Sequence, residues 1–510
     1  MVAQIISDKF ITWHELEHLI ISPKPVRLSQ NSKKLIKNSN DILSEIIKSG
    51  KKIYGVNTGF GKLSSVSIDK KDIKELQLNL VRSHAAGVGK PFDSGVTRLV
   101  MFLKLLTWTR GFSGVSPKLS TLLLNMLNHD ILPIIPRQGS VGASGDLAPL
   151  SHLACSLIGE GDVHFQDRIM PSVIALKETN LNPIDLGAKE GLSLINGTQV
   201  STALAIKALH EAQKLLFSAD IISALTVEAS LSSRDVFKPA IHKLKKHKGQ
   251  MVSATNVFKL LKNSEIVASH KNCDKIQDPY CVRCIPHVHG ASWEIFSSSE
   301  KIVNNEINSV SDNPLIFPNG DVHNSGHFHA EPIAQTLDSL SIAMSEIGAI
   351  SERRVHYLMK GADSNLPMFG AVKSGLESGF MLAHVTAASL ASENKTLAHP
   401  SSVDSISTSA GQEDIVSMAP WAGRSCLRIL DNVRTILAIE LLVAANFNHR
   451  FHSNFNSGHA LKPLMALMKN SKVLSKKDRV FSKDIETVNN LIKTDQVYSV
   501  VNKVYKVSRV

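Results

Sequence analysis

The chain has 510 residues, 43% apolar and 20% charged, enough for an extended core and far from the composition of a disordered polypeptide. Its 57 Lys and Arg against 45 Asp and Glu give +12, but the excess lies in scattered lysine pairs and one cluster at 242–248, with no interleaved aromatics and no helix-turn-helix, zinc-finger or RNA-recognition pattern; these read as solvated faces, not a nucleic-acid site. Asp8, Lys9, Glu15 and Glu17 interrupt any secretory apolar stretch, Glu440 breaks the longest apolar run at 436–445, and five cysteines are too sparse for a disulfide framework, so no membrane partner and a cytoplasmic location are expected.

Taken in chain order, short strand-like alternation is predicted at 52–56 and again at 162–171, and helical periodicity almost everywhere else. Tyr54 lies in a glycine-rich loop, Tyr54-Gly55-Val56-Asn57-Thr58-Gly59-Phe60-Gly61, and His84 in Ser83-His84-Ala85-Ala86-Gly87. A helix is predicted over 94–109. The string Gly139-Ser140-Val141-Gly142-Ala143-Ser144-Gly145-Asp146-Leu147-Ala148-Pro149-Leu150 then packs small residues together, which permits close backbone approach. Asp146 is the expected N-cap of a helix from Leu147 to about Ile158, with Pro149 in its first turn and Gly159 as terminator. Ala143-Ser144-Gly145 therefore sits at the positive end of a helix dipole. On its own the tripeptide reads as a small-residue loop with an N-cap. The same geometry also suits self-modification, in which a glycine nitrogen bent back onto the Ala143 carbonyl would close a five-membered ring and loss of two waters would turn the Ser144 Cβ into an electrophilic methylidene.

Asn196 in Leu194-Ile195-Asn196-Gly197 reads on its own as an Asn-Gly turn, and helices are predicted over 198–226 and 291–309. Between them, Gln277-Asp278-Pro279-Tyr280-Cys281-Val282-Arg283-Cys284 contains a Cys-x-x-Cys spacing without a second ligand pair, so no metal is expected there. Phe328, in Gly326-His327-Phe328-His329, reads alone as core. The clearest helix starts at Glu331-Pro332 and carries Ile333, Leu337, Leu340, Met344 and Ile347 at alternating steps of four and three towards Leu358. Helices over 379–397 and 426–446 follow, with the loops at 311–314 and 399–411 and the acidic Gln412-Glu413-Asp414 between elements. The expected architecture is mainly α: residues 1–200 form an N-terminal region of mixed short elements carrying the reactive loop, 201–455 a central bundle of long helices, and 456–510 a basic helical segment.

The string from Gly139 to Leu150, continued by Ser151-His152, resembles the signature of the aromatic amino acid ammonia-lyases, and of their histidine branch in particular. The likeness runs from the Tyr54 loop to Asp478-Arg479-Val480-Phe481. It implies that Ala143-Ser144-Gly145 becomes 4-methylidene-imidazol-5-one (MIO), with no metal or nucleotide cofactor, and that Asp146 assists ring closure. It further implies Tyr54 as catalytic base, Tyr280 and Gln277 in the site, Arg283 as a carboxylate clamp, and Asn196 and Phe328 beside the prosthetic group. His84 facing the substrate imidazole and Glu413 accepting its N–H point to L-histidine as substrate and urocanate as product. A homotetramer with shared active sites is implied as well. His287, His327, Glu377 and His384 depart from the commonest histidine-branch pattern, and a tyrosine or phenylalanine lyase or aminomutase of the same family is the alternative.

Overall fold

The 3.6-residue periodicity becomes helix nearly throughout the computed structural model, which describes residues 3–271, 275–364 and 366–510. In chain order the helices that matter here are α1 (Ile73–His84), α2 (Ser94–Trp108), α3 (Leu147–Leu157), α4 (Glu190–Ile195), α5 (Gln199–Ala229), α6 (Ile285–Ile307), α7 (Glu331–Met359), α8 (Met381–Leu397) and α9 (Ala419–Phe451). The fold is mainly α, as expected, and α5, α7 and α9 reach 31, 29 and 33 residues. On α7 the predicted face is buried in full: Ile333, Leu337, Leu340, Met344 and Ile347. Helix α9 outruns its periodic segment because Pro420 fits a first turn and every residue from Ile436 to Ala445 is buried, which blurs a one-faced pattern.

The chain divides into two compact units. The second comprises 208–299, 339–399 and 425–510, and its helices form a bundle. Glu440, the residue that breaks the apolar run, is its ionic centre: Arg354 grips it from α7 at 2.5 and 2.8 Å, and Thr226 and Ser351 donate to it at 2.7 and 2.6 Å. A buried carboxylate is tolerated there because a bidentate guanidinium and two hydroxyls replace its water. His289 on α6 meets Asp220 on α5 at 2.8 Å, and the Asn394 side chain on α8 accepts from Asn432 on α9 at 2.9 Å. Helices Lys462–Asn470, Phe481–Lys493 and Gln496–Asn502 make up most of the basic C-terminal stretch.

The first unit comprises the chain up to Lys207 with 300–338 and 400–424. It holds the short strands, including the three-stranded antiparallel sheet of Leu132–Pro133, Asp162–Phe165 and Arg168–Pro171, which accounts for the predicted alternation at 162–171. The expected strand at 52–56 does not form. The Asn57 carboxamide accepts from Ile53 N at 2.7 Å and donates to Lys51 O at 2.9 Å, winding the segment into a turn that outcompetes extended pairing. Among the described residues no helix is long and apolar enough to cross a membrane. Cys155, Cys281 and Cys284 are free thiols, and Cys273 lies outside the described residues.

Candidate active site

Two glycines fix the path of the reactive loop. Gly142 has φ +67°, and a Cβ on it would lie 2.3 Å from Ser417 Oγ; Gly145 has φ +72°, and a Cβ there would lie 2.2 Å from the Gly197 carbonyl oxygen. No other residue fits the second position, since the obstacle is backbone. The loop is then pinned from both sides: Met418 N donates to Val141 O at 2.8 Å, Ser417 Oγ to Gly142 O at 2.9 Å, and Asp146 N to Gly197 O at 2.8 Å.

Helix α3 starts after Asp146 and ends at Leu157, with Gly159 at φ +84° closing it as the sequence predicts. The capping expectation needs correction. The Asp146 side chain makes no cap to α3; its Oδ2 accepts from Ser201 N at 2.8 Å and its Oδ1 from Ser201 Oγ at 2.9 Å, so it caps the first turn of α5 instead. Chain order could not reveal a cap supplied by a distant segment. The carboxyl is fully buried, and that burial pushes it up to about 6 although hydrogen bonds from Ser201, Ser140 and Val200 pull it down.

Asn196 ends α4 in an extended conformation, and its Nδ2 donates to Ser144 O at 3.0 Å. Its Oδ1 is buried and has no hydrogen-bond partner among the described residues. Ser144 Oγ donates to Glu413 Oε1, while Glu413 Oε2 accepts from Thr408 Oγ1 and Ser409 Oγ at 2.8 Å each. Ser144, Asp146, Asn196 and Glu413 are thus brought together in one unit, a contact between residues 144 and 413 that no spacing announces.

Tyr54, His84 and Phe328 belong to the same unit and make their hydrogen bonds and ring contacts elsewhere. Tyr54 OH accepts from Gly61 N at 3.0 Å, with Phe60 edge-on to the ring at 6.3 Å. The buried Gln77 on α1 holds this loop, donating to Gly55 O at 3.0 Å and accepting from Leu192 N at 3.2 Å. His84 ends α1 with Nδ1 2.8 Å from Leu80 O; a carbonyl only accepts, so Nδ1 is the donor in this contact. Phe328 is half-buried and does not lie in the core; a turn closed by His329 N to Gly326 O at 2.9 Å holds it at the surface, and His329 Nε2 lies 3.3 Å from Ile415 O.

Gln277, Tyr280 and Arg283 lie in the second unit. Arg283 Nε donates to Asp278 O at 2.7 Å and its guanidinium covers the Tyr280 ring at 4.9 Å, while Tyr280 remains 72% exposed. The departures sit in local polar contacts: His384 pairs with Glu352 at 2.8 Å, Glu377 accepts from Val372 N and Lys373 N at 3.0 Å each, and His287 lies against the His242 ring. His327 is exposed. Among the described residues no cluster of His, Cys, Asp and Glu has the makings of a metal site.

Sequence reasoning missed a buried ionic layer in the first unit. Lys189 meets Asp312 at 3.0 Å, both buried, and Lys104 donates to Ser193 O and Asn196 O at 3.2 and 2.8 Å. Burial lowers both lysines, Lys104 to about 7. Glu306, raised by burial, accepts from Thr198 Oγ1 at 2.5 Å. The available signal was a single lysine inside the apolar run Val100-Met101-Phe102-Leu103-Lys104-Leu105-Leu106.

The aromatic amino acid lyase family model matches residues 11–470. A histidine ammonia-lyase of Aliivibrio fischeri (strain MJ11) is 46% identical over 477 residues, 93% of this chain and 93% of its own. Among solved structures, the histidine ammonia-lyase from Trypanosoma cruzi matches with a TM-score of 0.91 at 36% identity, covering 98% of this chain and 95% of its own. The tyrosine aminomutase from Streptomyces globisporus matches with a TM-score of 0.93 at 31% identity, covering 100% of both. With the reactive loop bent as described and likeness spanning nearly the whole length, the chain belongs to the aromatic amino acid lyase family.

Proposed function

We propose that the chain is a histidine ammonia-lyase, removing ammonia non-oxidatively from L-histidine to give trans-urocanate, and that Ala143-Ser144-Gly145 matures into MIO. The observation that carries this reading is the tripeptide itself, bent at a position only glycine can occupy, with Asn196 on the Ser144 carbonyl and Glu413 on the Ser144 hydroxyl. These residues fit the group: small side chains allow the close approach that ring closure needs, and the buried Asn196 Oδ1, without a partner among the described residues, is an acceptor for an N–H of the substrate amine. MIO supplies an electrophile for the substrate amine, which answers the poor leaving group.

The chain's own groups take the other tasks. Tyr54 is the proposed base for the Cβ proton, its phenol oxygen already facing a backbone donor in a loop locked by Gln77. His84 is proposed to face the substrate imidazole, its ring oriented by the Nδ1 contact to Leu80 O. Maturation removes Ser144 Oγ, and so frees Glu413 Oε1 for an imidazole N–H while Thr408 and Ser409 keep the carboxylate in place. Arg283 is proposed to hold the substrate carboxylate, with Gln277, Tyr280 and Phe328 completing the site. The exposure of Tyr280 supports a homotetramer in which copies share sites, and the free thiols fit a cytoplasmic enzyme.

The test is ultraviolet-monitored incubation with L-histidine, L-tyrosine and L-phenylalanine in parallel, with Ser144→Ala as control. Urocanate formation from histidine alone is expected. Coumarate or cinnamate without urocanate would replace the substrate assignment by the tyrosine or phenylalanine alternative.

A further inference from the structure

Helix α2 is buried along almost its whole length, and Lys104 is the one charged side chain in its Val100 to Leu106 run, 1% exposed. An amine is costly to bury, so its contacts carry information. Both are backbone carbonyls at one place: Ser193 O at 3.2 Å and Asn196 O at 2.8 Å, at the C-terminal end of α4, where orphan carbonyls and the negative end of the helix dipole collect. Asn196 is the residue that reaches Ser144 O. The other end of α4 is fixed separately, with Glu190 accepting from Ser116 N at 2.9 Å and Gly187 N at 2.6 Å. Lys189 donates to Ser193 Oγ at 2.9 Å.

We propose that Lys104 is a positioning residue for maturation of the tripeptide: by clamping the carbonyls of Ser193 and Asn196 it holds the Asn196 carboxamide on Ser144 O. This rests on the reading that Ala143-Ser144-Gly145 cyclises. Cyclisation joins Gly145 N to the Ala143 carbonyl carbon, and the Ala143 oxygen leaves as water with the Gly145 and Ser144 amide protons. Dehydration breaks the Ser144 Cα–H and Cβ–Oγ bonds. The Cα–H electron pair becomes the Cα–Cβ double bond, and the proton leaves with the hydroxyl as a second water. As Cα gives up its proton, negative charge develops on Ser144 O, where the Asn196 amide already points; a donor fixed beforehand at a developing oxyanion costs no reorganisation. Burial draws the Lys104 amine down to about 7 while Asp312 and Asp146 oppose that change, and the clamp survives either protonation state because even a neutral amine keeps two N–H donors for two carbonyls.

The experiment follows the mass of the full-length chain after synthesis in a cell-free system, where maturation appears as the loss of two waters, with thermal unfolding recorded in parallel. Removing an oxyanion donor by Asn196→Ala should slow that loss about 100-fold, and Lys104→Met, which only loosens the donor, about 10-fold or more. The double variant should be no slower than Asn196→Ala alone, because both act through one hydrogen bond. A purely structural lysine would lower the unfolding midpoint and leave the mass-loss rate of the folded protein alone. Maturation of Lys104→Met at the wild-type rate, or slowing that multiplies with Asn196→Ala, would overturn the proposal. Should Lys104→Met not fold, Lys104→Gln enters the same double-variant comparison. A wild-type chain that never loses two waters would refute maturation itself, a result distinct from either.

Discussion

Replacing Asp146 by Asn separates its charge from its place in the fold. The carboxyl is fully buried and accepts from Ser201 N and Ser201 Oγ at 2.8 and 2.9 Å, holding the first turn of a 31-residue helix. Burial raises it from 3.8 to about 6. Below about pH 4 the folded and unfolded chains both carry the proton; between about 4 and 6 only the folded chain does, so this group's contribution to stability is full at the acid end and lost as pH rises through 6. At about 1.4 kcal/mol per pH unit, the loss amounts to about 3 kcal/mol. Asn cannot titrate and keeps one acceptor of similar shape. The stability difference between wild type and Asp146→Asn, read from paired thermal or urea unfolding at pH 4.5 to 8, should therefore be largest at the acid end and shrink by about 2 to 3 kcal/mol on the way to neutrality. Every other group titrates in both proteins and cancels. A difference that stays flat or widens with pH would show that the carboxyl is ionised across the range and that burial does not govern it.

Gly145→Ala should block the two-water mass loss in intact protein, because its Cβ would stand 2.2 Å from the Gly197 carbonyl; full maturation would mean that the loop is not held as described. Tyr54→Phe should lower kcat by roughly 10² to 10⁴ while changing stability by only about 1 kcal/mol, the worth of the single bond from Gly61 N; steady-state rates beside thermal midpoints distinguish a base from a packing residue. Lys189→Met strands Asp312 and should destabilise the fold by about 3 to 5 kcal/mol, with part of the loss recovered on adding Asp312→Asn. Denaturant midpoints of wild type and the two variants check this, and equal midpoints for single and double variants would contradict it.

Helical periodicity was legible in the sequence. The buried face of α7 and the closure of α3 at Gly159 follow from apolar spacing and terminator chemistry, and the string from Gly139 to Leu150 locates the reactive loop. Long-range pairing was not legible. Asp146 has the residue type and place of an N-cap, yet its side chain serves Ser201, 55 positions away. Asn57 diverts 52–56 from strand to turn through its own carboxamide, a side-chain competition that alternation cannot register. Phe328 reads as core by type but is held half-exposed by its turn. Lys104 could have been flagged as a lone charge in an apolar helix, but its partners are backbone carbonyls, which leave no mark in side-chain chemistry.

The most direct measurement is the initial rate of urocanate formation from L-histidine by wild type and by Ser144→Ala, followed by ultraviolet absorbance at equal concentrations of folded protein. Ser144 Oγ is the oxygen whose loss creates the electrophile, so the variant should retain the fold and lose activity by several orders of magnitude. Equal rates in the two proteins would show that the tripeptide is an ordinary loop and that the chemistry lies elsewhere.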